Sequence, residues 1–135
     1  MGADVSRVVL DASVGVKWFR DEPGADQARD LLRQHGEGSL VLVVPSLFVY
    51  ELMAVAERTL PPEHSDALWE RFLTWRIPVV NVHDALMRDT LAIGRELGCS
   101  LYDAVAPALA QQLGVTLVSA DRRAHGDWPG VRLVE

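Results

Sequence analysis

The chain has a single cysteine, Cys99, and a single lysine, Lys17, among 135 residues. One thiol closes no internal disulfide and supplies no thiolate cluster for zinc. Long apolar runs are also missing. The longest, such as residues 40–45, fall far below the roughly 20 residues that a membrane-spanning helix needs. The N-terminus carries no basic stretch followed by an apolar segment, so a secretory leader is not expected and a cytoplasmic location is. Basic charge is in deficit, with 13 Lys and Arg against 19 Asp and Glu and a net charge of -6. That balance argues against a protein that grips nucleic acid through a broad basic surface, because that mode depends on many Lys and Arg displacing phosphate counterions. It leaves open a local arrangement in which clustered carboxylates bind divalent cations. The four histidines, His35, His64, His83 and His125, show no HExxH or closely paired spacing and are expected at the solvent-exposed surface, with substrate contact by His125 as the lesser alternative.

What is present suits one globular domain spanning residues 1–135, since about half of the chain (49%) is hydrophobic and 24% is charged. Strands are expected at residues 8–10, 40–44, 78–80, 115–118 and 131–134, each a short run rich in β-branched residues. Between them lie stretches of helical period. A short helix is expected over residues 12–19, and an amphipathic one follows Pro23-Gly24 up to Gly36. The next starts after Pro45 with Ser46 as its cap and is broken by Pro61-Pro62, and another runs from about Glu63 to Trp75. Asp84 is expected to cap a helix that ends at Gly98, and Ser100 one that ends at Gly114. Strands that are apolar rather than alternating, separated by helices, imply parallel pairing through right-handed crossovers. The fold class is therefore α/β, a three-layer α/β/α sandwich around a mainly parallel sheet.

In such sheets ligands bind beyond the carboxyl ends of the strands, and Asp11 and Asp121 both stand at a strand exit. Each has an ordinary alternative, Asp11 as the N-cap of the following helix and Asp121 as a turn or cap residue before Arg122-Arg123. Asp103 has one too, because Ser100-Leu101-Tyr102-Asp103 approximates a capping box. Glu51 is harder to dismiss. Its helical neighbours three and four positions away are Leu47, Phe48, Ala54 and Val55, so it lies on or beside a buried face. A buried carboxylate without a partner shifts its pKa upward, whereas a cation holds it ionised. If the four acids converge, each pair at ~4 Å repels by about 4 kcal/mol at an effective dielectric near 20, which requires a divalent ion or a retained proton. Oxygen-only ligands select magnesium or manganese over zinc. Lys17, Arg20, Arg122 and Arg123 lie close in sequence to these acids, and the four tryptophans read as packing or interface residues.

Val8-Val9-Leu10-Asp11-Ala12-Ser13-Val14 with Lys17-Trp18, then Glu51 after Pro45-Ser46, then Tyr102-Asp103-Ala104, then Leu117-Val118-Ser119-Ala120-Asp121 together resemble the PIN-domain ribonucleases. Within them the pattern is most similar to the VapC-type toxins of toxin-antitoxin pairs, and it covers nearly the whole chain in the family's order. The resemblance implies a PIN-like fold, with Asp11, Glu51, Asp103 and Asp121 as shared metal-binding and catalytic carboxylates. Ser13 and Ser119 would be the small hydroxyl residues that accompany them. It further implies Mg2+ or Mn2+ as cofactor, RNA as substrate, an antitoxin protein that inhibits the enzyme, and a homodimer. Arg122 and Arg123, beside the last acid, are the candidate substrate-binding residues. Pro107 removes the helix bond to the carbonyl of Asp103, and a kink there would displace Asp103 unless the expected place of Pro107 near the first turn accommodates it.

Two other classes fit part of the pattern. A catalytically silent PIN-like module would use the acids as caps and bind a protein or RNA. A phosphatase or phospho-receiver also uses acids at strand ends, but Ser13 stands where a second aspartate belongs and no lysine follows the later strands.

Overall fold

The computed structural model describes residues 5–135. At its centre is β1 (Ser6–Leu10), hydrogen-bonded to β2 (Leu40–Pro45) on one side and β4 (Thr116–Ser119) on the other. Outside them lie β3 (Val79–Val80) and β5 (Arg132–Leu133), giving the order β3-β2-β1-β4-β5 with every pairing parallel. The apolar runs work as expected for strands buried on both faces. Val8, Leu10, Leu42, Val44 and Val118 point into one core, and Val9, Val43 and Leu117 into the other. The first core is covered by α1 (Ala12–Gly15), a 3-10 turn at Val16–Trp18, α2 (Ala25–Glu37), α3 (Ser46–Thr59) and α4 (Pro62–Trp75). The second is covered by α5 (Asp84–Leu97) and α6 (Leu101–Leu113). This is the three-layer α/β/α arrangement. No helix among the described residues is long and apolar enough to cross a membrane.

Several boundaries differ from the sequence reading, each for a local reason. β1 begins at Ser6 because Ser6 and Arg7 pair with Leu40 and Val41 although both are exposed. Ser46 is the first helical residue of α3 and not its cap; Pro45 holds the extended cap position with no side-chain bond. Asp84 likewise moves inside α5, and His83 caps it through Nδ1, which accepts from the Leu86 N–H at 3.3 Å. Pro62 opens α4 at a position where its missing N–H costs nothing. Pro107 is the seventh residue of α6, beyond the first turn, and the helix runs through it to Leu113.

The tryptophans behave largely as packing residues. Trp18 is buried, donates from Nε1 to the Ala28 carbonyl at 3.0 Å and packs edge-on to Trp75 at 5.3 Å. It also lies 5.8 Å from the Phe48 ring. That ring limits how α1 and α3 approach. A Cβ on Gly15 would stand 2.6 Å from Phe48 Cζ, and a fully buried ring held against Trp18 has little room to yield. Gly15→Ala is therefore expected to destabilise the protein by about 1–3 kcal/mol through overpacking, read as a lower urea midpoint with an unchanged slope. An unchanged midpoint would show that Phe48 relaxes.

The strand order reverses between β1 and β4, since the chain first builds outward to β3 and then returns to place β4 on the opposite side of β1. The crevice outside the carboxyl ends of two such strands is where open α/β sheets bind ligands. Asp11 leaves β1 there, its N–H donating to the Val118 carbonyl at 3.0 Å.

Candidate functional site

Each acid reaches this edge on a different element. Asp11 follows β1 and caps α1, with Oδ2 accepting from the Ser13 N–H at 3.0 Å. Asp121 follows β4 and caps α7 (Arg122–His125), with Oδ1 accepting from the Ala124 N–H at 3.0 Å. The cap alternatives for these two residues are thus realised, and each cap engages one carboxylate oxygen and leaves the other without a hydrogen bond among the described residues. Asp103 is different. Ser100 caps α6 by accepting from the Asp103 N–H at 3.0 Å, but the return bond of a capping box is not made. Among the described residues, the carboxylates of Asp103 and Glu51 accept no hydrogen bond.

Glu51 projects from α3 into a crevice shared with Asp11, Tyr102 and Ala106. Burial, and then the negative charges of Asp11 and Asp103, push its carboxyl up to about 7 from an ordinary 4.5. The three acids are therefore within electrostatic reach of one another. Asp103 and Asp121 line an adjoining open groove of about 480 Å³ with Arg123, Asp127 and Trp128. The geometry thus brings all four acids to one edge of the sheet, in two adjoining depressions. Among the described residues no three Asp, Glu, His or Cys side chains stand close enough together to hold a metal ion between them. An oxygen-only donor set of this openness suits a hard cation such as Mg2+, which keeps several waters and takes one or two direct carboxylates. A closed cage of the kind that structural zinc needs is absent among the described residues.

The serines stitch the edges together. Ser13 Oγ accepts from the Ala120 N–H at 2.9 Å and lies 3.4 Å from Ser119 Oγ. Ser119 Oγ accepts from the Asp121 N–H at 3.1 Å and lies 2.7 Å from His125 Nδ1. The other ring nitrogen, Nε2, is 2.7 Å from the Asp103 carbonyl oxygen. His125 is 2% exposed, so the expectation of a solvent-exposed histidine fails here. The one-turn helix α7 rolls its ring inward, beneath the acids. His35 also departs from that expectation: it is half-buried, its ring bonded to the Trp75 carbonyl at 2.9 Å and the Leu42 N–H at 3.1 Å. Sequence reasoning weighed His125 only as a surface residue or substrate contact and missed its buried bridging role. The one available signal was Pro107, whose missing N–H orphans the Asp103 carbonyl and calls for a donor from elsewhere.

The basic residues divide. Arg123 faces the acid-lined groove. Arg122 turns away, donating from Nε to Glu135 Oε1 at 2.6 Å. Lys17 is buried against Glu22 Oε1 at 3.2 Å and the Pro23 carbonyl at 2.6 Å, and Arg20 lies 3.5 Å from Glu22 Oε2. These three are held by neighbours outside the groove.

Comparison with known proteins gives a consistent picture. The PIN domain family profile matches residues 8–126. Ribonuclease VapC3 of Pyrobaculum aerophilum is 25% identical over 130 residues, covering 93% of this chain and 97% of that protein. A toxin-antitoxin complex from Klebsiella pneumoniae contains a chain that superposes with a TM-score of 0.75 at 18% identity, covering 95% of this chain and 98% of that one. Mycobacterium tuberculosis VapC20, a sarcin-ricin loop cleaving toxin, superposes with a TM-score of 0.69 at 16% identity, covering 90% and 95% respectively.

Proposed function

Because the chain belongs to the PIN domain family, we propose that it is a divalent-metal-dependent endoribonuclease, the toxin of a toxin-antitoxin pair, built as one domain over residues 1–135. The observation that carries this reading is Glu51, a half-buried carboxylate with no hydrogen-bond partner among the described residues, whose pKa is raised by burial and by Asp11 and Asp103. Such a group is costly in a metal-free protein and becomes useful when a cation holds it ionised. Asp11, Glu51, Asp103 and Asp121 would hold Mg2+ or Mn2+, some directly and some through its waters. When bound, such an ion lowers the pKa of a coordinated water toward neutrality and stabilises the charge that builds on phosphate during hydrolysis.

The chain's own residues supply the rest. Ser13 and Ser119 fix the backbone from which Asp11 and Asp121 project. Arg123, unpaired in the groove among the described residues, would meet the phosphodiester backbone and offset the acidic charge around it. Arg122 is a weaker candidate, since reaching RNA requires release of Glu135. Partner binding has support in two apolar grooves. One is lined by Leu47, Val80, Val82, Met87 and Tyr102, the other by Val49, Tyr50, Met53, Trp69 and Leu73. Tyr50 is 76% exposed and Tyr102 65%. Exposed apolar surface of this kind suits a second copy of the chain and an antitoxin segment, as named for the toxin-antitoxin complex from Klebsiella pneumoniae.

The deciding experiment is RNA cleavage by purified protein with and without chelator. Cleavage should disappear with EDTA and return with Mn2+ or Mg2+, and calorimetry should show saturable Mn2+ binding. A silent binding module, favoured by the caps that Asp11 and Asp121 form, predicts neither cleavage nor saturable binding.

A further inference from the structure

We infer that His125 is a positioning residue: its imidazole replaces the helix bond that Pro107 removes and thereby fixes Asp103 to the exit of β4. The inference rests on the metal-nuclease reading for its consequence, and on geometry alone for its cause. In a helix the carbonyl of each residue accepts from the N–H four positions on. For Asp103 that position is Pro107, which has no N–H, in the interior of α6. The freed carbonyl is instead met by His125 Nε2 at 2.7 Å. A carbonyl only accepts, so Nε2 carries the proton and donates. In the neutral ring Nδ1 then accepts from the Ser119 hydroxyl at 2.7 Å. The same hydroxyl oxygen accepts from the Asp121 N–H at 3.1 Å, and Ser13 Oγ lies 3.4 Å from it. Ser13 in turn donates its N–H to Asp11 Oδ2. One buried ring thus joins the turn carrying Asp103 to the turns carrying Asp121 and Asp11. Proline alone would leave an orphaned carbonyl, and histidine alone would compete with a helix bond. The two residues make sense as a pair.

The test is a double-mutant cycle of wild type, His125→Phe, Pro107→Ala and the double variant, with His125→Gln as the conservative replacement. Three quantities are measured: Mn2+ affinity by calorimetry, the melting temperature without metal, and kcat and KM for RNA. His125→Phe should weaken Mn2+ binding about 10- to 100-fold and lower kcat while leaving KM for RNA nearly unchanged. In the Pro107→Ala background the same substitution should cost much less, because alanine restores the backbone N–H that the Asp103 carbonyl lacks. His125→Gln, which can still present a donor, should stay close to wild type. Equal losses in both backgrounds, or Mn2+ affinity unchanged in His125→Phe, would overturn the inference. Should His125→Phe fail to fold, recovery of folding by Pro107→Ala supports the pairing and continued failure refutes it. If wild type itself shows no saturable Mn2+ binding, the metal-nuclease reading falls. The pairing is then judged by the melting temperatures, where the same non-additivity is expected.

Discussion

Asp11→Asn is expected to keep the fold and to lose RNA cleavage by on the order of 10³-fold, the scale on which a ligand to a charge-stabilising cation contributes. The two halves of this expectation come from different atoms. Asp11 Oδ2 caps α1 through the Ser13 N–H, and asparagine caps a helix about as well as aspartate. The charge, by contrast, is irreplaceable by an amide. Asp11 stands at the topological switch between β1 and β4 and is the first of the two acids acting on Glu51. Removing its charge should leave Glu51 less strained and, on the proposed metal-nuclease reading, the cation less well held. Thermal melting should therefore place metal-free Asp11→Asn close to wild type or slightly above it, while single-turnover cleavage at saturating RNA falls. Cleavage retained within tenfold of wild type would reject Asp11 as a metal ligand.

The parts of this fold that were legible before the structure are those set by local pattern. Val8-Val9-Leu10 and residues 40–44 are apolar without alternation, and the two cores receive alternate residues from each. Glycines at the ends of α5 and α6 marked their stops, as the left-handed conformations of Gly98 and Gly114 show, whereas α2 runs through Gly36, where its stop was expected, and ends at the left-handed Gly38. Caps were less legible, because His83 was read as a surface residue and Asp84, a stronger capping type, stands beside it. The least legible feature was the brace beneath the acids. Ser13 and Ser119 meet across 106 positions of chain, and a one-turn helix leaves too little periodicity to say that His125 turns inward. Pro107 announced an orphaned carbonyl, but nothing local could name its donor.

Glu51→Gln should reverse its effect on stability according to whether metal is present. Without metal, the Glu51 carboxyl titrates near 7 in the folded protein instead of near 4.5, chiefly through burial and then through Asp11 and Asp103. Below the lower value both folded and unfolded chains hold the proton, and the residue contributes nothing. Between the two values the unfolded chain ionises while the folded one keeps its proton, so wild-type stability falls as pH rises through that window. Above about 7 both are ionised and the penalty is constant. Glutamine has no such titration. Metal-free Glu51→Gln should match wild type at pH 4 and exceed it at pH 8, by about 1 kcal/mol once solvent screening of a half-buried group is allowed for. Added Mn2+ should then raise the melting temperature of wild type by mass action and that of the variant far less. Wild-type Mn2+ affinity should climb with pH up to about 7 and level off, because binding must displace the Glu51 proton. Cleavage by Glu51→Gln should fall by about 10²-fold or more at any pH, as several kcal/mol of charge stabilisation are lost. Melting curves from pH 4 to 8, with and without Mn2+, check every part. A metal-free variant no more stable than wild type at pH 8 would mean that water already solvates this carboxylate, and Glu51 would then have no need of a cation.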